Sequence, residues 1–146
     1  MPRYFTLLQA ERLLPDVECS IREALALKIE YQDSENKIQK ATQRIVNLGG
    51  SNVDRGQFAG EKMRRDAAIE ALKAAIEKIH EFGCQVKDLD IGLIDFPCLY
   101  RGQEVLLCWK LGENGISFWH SLEDGFGGRK PIDEDFLSNH RGDDVN

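Results

Sequence analysis

The sequence is poor in positive charge and has neither long apolar runs nor regular cysteine spacing. Nineteen Lys and Arg face 25 Asp and Glu, for a net charge of −6. That balance argues against broad phosphate-backbone binding, which needs a basic surface. The one dense basic stretch, EKMRRD, is itself flanked by acids. No apolar run approaches the ~20 residues of a membrane-spanning helix. The opening MPRYFTLLQAERLLP places Glu11 and Arg12 where a signal peptide keeps an apolar core. The expectation is a cytoplasmic protein with neither nucleic acid nor membrane as partner. Cys19, Cys84, Cys98 and Cys108 show no CxxC or Cys/His spacing, and read as small buried hydrophobes. No Lys-Ser/Thr follows the glycines near residue 50, so a P-loop is absent. No GxSxG elbow occurs, and Cys108 lies in an apolar stretch where a reactive thiolate is disfavoured.

Helical periodicity dominates the first half. Thr6 is a candidate N-cap for a short helix at about 6–13, which Pro15 should interrupt. Pro15 then starts a second helix over roughly 15–48. Its stripe at positions 14, 17, 21, 24, 28, 31, 35, 38, 42 and 45 follows a coiled-coil rhythm loosened by Lys28, Glu35 and Thr42. Gly49 and Gly50 supply a stop. A third helix over about 57–82 carries Phe58, Ile69, Leu72, Ile76 and Ile79 on one face, completing an antiparallel hairpin. The longer arm should overhang near Pro15 to Ile21, where another layer would pack.

That layer is the β-rich segment 83–132. GLIDFPCLY, QEVLLCWK and ISFWH read as strands separated by YRGQ and LGENG turns. Val105, Leu107 and Trp109 alternate with Leu106 and Cys108, so both faces of this strand should be covered. The fold class is α+β: a helical hairpin region (1–82), a three- or four-stranded antiparallel meander (83–132) and a flexible acidic tail (133–146), in one structural domain.

The polar residues embedded in the meander are the candidate site. Asp95, Glu113 and His120 form a carboxylate–imidazole set suited to a divalent metal. Arg129, with Glu113, is the candidate for binding an anionic ligand. A two-residue turn at Arg101–Gly102 places Asp95 opposite Cys108. A turn centred on Glu113 places His120 opposite Leu106. Asp95 and His120 then stand two strands apart, about 9–10 Å, too far for a direct hydrogen bond.

YFTLLQAERLLP, together with the segments KDLD.GL.DFP, LCW..GE and WH....GF.GR, resembles a bacterial and archaeal family known as domain-of-unknown-function family 2203. The resemblance covers residues 4–18 and 83–132 closely. It implies helices with a small sheet in a cytoplasmic prokaryotic protein, and no reaction. Two functions follow from the residues themselves. One is an interaction module that forms a homodimer through the long helices, whose stripe a small sheet leaves partly uncovered. The other is a metal- or anion-binding domain, or a small enzyme, built on Asp95, Glu113, His120 and Arg129.

Overall fold

The computed structural model describes residues 3–47 and 55–143. The expected stop at Gly49 and Gly50 lies outside the described residues. The fold is α+β, as the periodicity predicts. Helices α1 (Leu7–Asn47) and α2 (Arg55–Glu81) precede strands β1 (Gln85–Asp88), β2 (Leu93–Tyr100), β3 (Gln103–Lys110) and β4 (Phe118–Ser121). A short 3-10 turn (Phe126–Gly128), β5 (Lys130–Pro131), α3 (Glu134–Asn139) and β6 (His140–Arg141) complete it. The chain forms two compact units, Arg22–Ala75 and Met1–Ile21 with Ile76–Asn146.

The expected break at Pro15 does not occur: α1 runs through it. Proline removes one helical hydrogen bond, but residues on both sides of it are held by packing. Ala10, Val17 and Ile21 are fully buried in one core cluster, with Leu13 and Leu14 against it. The N-terminus is capped as Thr6 suggests, by a reciprocal box. Gln9 N–H donates to Thr6 Oγ1 at 3.1 Å and Thr6 N–H to Gln9 Oε1 at 2.9 Å. A further free donor of the first turn, Leu7 N–H, is taken by His140 Nε2 at 3.1 Å.

Within Arg22–Ala75 the two helices run antiparallel, and cross-helix ion pairs fix their register. Arg64 meets Glu30 and Asp33 at 3.3 and 3.0 Å, and Arg65 meets Glu35 at 3.1 Å. Glu35, a polar interruption of the stripe, therefore has a partner on the facing helix. These pairs are solvent-screened and set alignment more than stability. The Arg64 guanidinium nonetheless holds the Asp33 carboxyl below its usual range.

In the other unit the sheet is antiparallel with order β1-β2-β3-β4-β5, and β6 also pairs with β2. It has six strands, where the sequence suggested three or four; the additions are two- or four-residue pieces too short to show a period. The two hairpin registers hold: Asp95 pairs with Cys108, and Leu106 with His120. Arg101 (φ 51°) and Gly102 (φ 79°) both take left-handed conformations, as a two-residue turn of matching twist requires. One face of β2 and β3, carrying Ile94, Phe96, Cys98, Val105, Leu107 and Trp109, packs with Phe5, Ala10, Val17, Ile21 and Ile79. This is the layer expected near Pro15 to Ile21. Pro97 is tolerated in β2 because its carbonyl, and hence its missing N–H, faces a gap between β1 and β6. Phe5 N–H fills that gap by donating to Pro97 O at 2.7 Å.

Residues 133–143, expected to be a mobile tail, form α3 and β6. Asp133 caps α3 by accepting from Phe136 N–H at 2.8 Å. Phe136 is fully buried, stacked with Trp119, Tyr100 and His140. A single apolar anchor among charges carries too weak a period to be read from sequence.

Candidate metal centre

Asp95 on β2, Cys108 on β3 and His120 on β4 project from the sheet face opposite the helical core. Strand alternation dictates this, because each is offset by one position from the residues that enter that core. All three are buried: Asp95 is 1% exposed, His120 2% and Cys108 0%. Their ligand atoms lie within 4.8 Å of one another.

Asp95 and His120 do meet, at 3.1 Å between Oδ1 and Nε2. The expectation that two strand spacings keep them apart counted backbone separation alone. Both side chains lean over β3 from either side, and their lengths close the gap. The Nδ1 of His120 lies 2.7 Å from the carbonyl of Ser121. A carbonyl only accepts, so Nδ1 carries the proton and Nε2 of a neutral ring presents its lone pair to the Asp95 carboxylate. Two acceptors face each other there unless a further proton or a cation lies between them. Metal-ligating imidazoles are commonly oriented by such a backbone contact on the distal nitrogen.

Cys108 is the member the sequence reading missed. It reads from sequence as a small buried hydrophobe with an unreactive thiol, and it is fully buried. Burial first, and the Asp95 charge second, push its thiol up to about 12, with Arg129 opposing. Yet the same register that pairs Asp95 with Cys108 puts that sulfur within 4.8 Å of both the carboxylate and the imidazole. Register and alternation together were the available signal.

Glu113 does not join this set. Its Oε1 accepts Lys110 N–H at 2.7 Å and Arg129 Nη2 at 2.7 Å, and its carbonyl accepts the indole N–H of Trp109 at 3.1 Å. The carboxylate is committed to closing the turn between β3 and β4. Arg129 also donates to Cys108 O at 3.2 Å. Its guanidinium lies over the rings of Phe118 and Phe126, 4.2 and 4.9 Å from their centroids. Glu113 and Arg129 are thus brought together as an ion pair beside the Asp95–Cys108–His120 cluster.

The donor set fits a borderline-soft divalent ion. Zinc bonds to sulfur, nitrogen and oxygen of about 2.0–2.3 Å give tetrahedral edges of about 3.3–3.6 Å. The Asp95 Oδ1–His120 Nε2 separation of 3.1 Å is close to such an edge, and Cys108 Sγ lies within 4.8 Å of both atoms. Comparison with known sequences adds the family: the uncharacterised conserved proteins designated DUF2203 match residues 3–132. The chain belongs to the DUF2203 family. No curated protein and no solved structure matches it. Asp95, Cys108 and His120 all fall inside the stretch shared with DUF2203. Among the described residues of this DUF2203 protein, no helix is long and apolar enough to cross a membrane.

Proposed function

We propose that this DUF2203 protein is a metal-binding protein whose ion is held by Asp95 Oδ1, Cys108 Sγ and His120 Nε2. The observation that carries this reading is the convergence of three chemically different ligand atoms, all buried, within 4.8 Å. Buried polar groups are normally matched, and a divalent cation matches an imidazole lone pair, a carboxylate and a thiolate at once. Mixed sulfur, nitrogen and oxygen donors favour zinc over magnesium or calcium, which take oxygen alone. Three protein ligands leave one position of a tetrahedron open. Free cysteines at Cys19, Cys84, Cys98 and Cys108 suit a reducing, cytoplasmic setting.

Elemental analysis of purified protein tests the assignment. One equivalent of zinc is expected in the wild type. Cys108→Ala and His120→Ala should each lose it while retaining the wild-type far-UV spectrum. Full-length protein that takes up no stoichiometric zinc after reconstitution would sink the reading.

A second reading is self-association through residues 22–75. Ile29, Val46 and Met63 are 67, 69 and 72% exposed there, apolar surface that a second copy would cover. Sedimentation is expected to give a dimer that Met63→Glu weakens; a wild-type monomer at high concentration would remove this reading.

A further inference from the structure

Three protein ligands account for three positions of a tetrahedral ion, and Arg129 is hydrogen-bonded to the backbone of one of them, Cys108. Asp95, Cys108 and Phe118 form one row across β2, β3 and β4. The Arg129 guanidinium stacks over the third member of that row and bonds to the backbone of the second. Its Nη2 is committed to Glu113 and to Cys108 O. Its Nε is shielded from water and has no hydrogen-bond partner among the described residues. A buried donor left unmatched is uncommon and costly. The planar fork is also pre-oriented by the Phe118 and Phe126 rings, so little rotamer freedom remains to be lost on binding.

We propose that the fourth position of the metal takes a small oxyanion, a carboxylate or a phosphate, and that Arg129 is the side chain that recognises it. The proposal rests on the metal reading above. With Nη2 already engaged, the free Nε–H offers an oxyanion one charge-assisted hydrogen bond. One oxygen would complete the ion's shell and another would satisfy Arg129 Nε. Phe126 forms the outermost layer of the stack, is 41% exposed, and sits on a turn rich in glycine at Gly125, Gly127 and Gly128.

Cobalt(II) substitution of the full-length protein separates the two levels of the argument. Cobalt at this site is expected to give a thiolate-to-metal charge-transfer band saturating at one equivalent. Acetate and inorganic phosphate, titrated separately, are expected to shift the visible d–d bands with saturation, and the anion that responds identifies the source. Arg129→Met should keep the charge-transfer band and raise the half-saturating anion concentration about tenfold, the scale of a lost charge-assisted pair. Should that variant not fold, Arg129→Lys keeps the stem and charge but not the fork, and should weaken the response several-fold. Absence of the charge-transfer band would overturn the metal reading and this inference with it. A band indifferent to both anions would overturn this inference alone, and equal responses in wild type and variant would remove Arg129 from it.

Discussion

His120 Nε2 reaches Asp95 Oδ1 at 3.1 Å across the full width of an intervening strand. Both residues are almost fully buried, so neither can fall back on water if the other is removed. In the presence of a chelator, His120→Leu alone should cost about 3–5 kcal/mol, because a buried polar group is stranded. Asp95→Leu with His120→Leu should cost clearly less than the two singles added. Denaturant titrations of the double-mutant cycle measure the coupling. Strict additivity would mean the pair does not interact in solution.

Burial also pushes the Cys84 and Cys98 thiols up to about 12. The folded value lies above the unfolded one, near 8.5. Their contribution is therefore complete below about pH 8.5 and is lost as pH rises towards 12. Each thiol adds up to about 1.4 kcal/mol of lost stability per pH unit in that window. Comparing wild type with Cys84→Ala between pH 8 and 11 isolates one thiol. The variant's stability should decline less steeply, and parallel curves would contradict the assignment.

Phe136 connects a segment that reads as a tail to the aromatic cluster of Tyr100 and Trp119. Phe136→Ala should destabilise the fold by about 3–5 kcal/mol, the usual cost of emptying a large aromatic site. Thermal unfolding gives the value. A variant as stable as wild type would show that α3 does not pack where described.

The Thr6–Gln9 box closes two donors at the start of α1. Thr6→Ala is expected to cost about 0.5–2 kcal/mol. Adding Gln9→Ala should cost little more, because the two bonds depend on each other. Amide exchange at residues 7–10 provides a local readout: protection there should fall before protection in β2 and β3 does.

Several features were legible in the sequence because period and turn chemistry agree on them. The helical stripe, the Arg101–Gly102 turn and the Asp95–Cys108 pairing are of this kind. Local propensity predicts a break at Pro15, and packing at Ala10, Val17 and Ile21 overrides it. Glu113 was grouped with the metal ligands because its chemistry suits them, whereas its backbone neighbour Lys110 and the charge of Arg129 had already claimed it. Cys108 was discounted because an apolar strand suppresses thiol reactivity. That argument concerns a free thiol and says nothing of one that faces an imidazole and a carboxylate. Which side chains lean towards each other over a strand is a tertiary property, and no one-dimensional spacing encodes it.

The outer edge of β2 is assembled from three distant parts of the chain: β1, the backbone of Phe5, and β6. During synthesis the last of these emerges some forty residues after β2 itself. Until then β2 presents unpaired backbone groups, the kind of open edge along which chains add to one another. β6 thus acts as a closing stitch: its two residues cover the last open stretch of the β2 edge, at Leu99 and Tyr100.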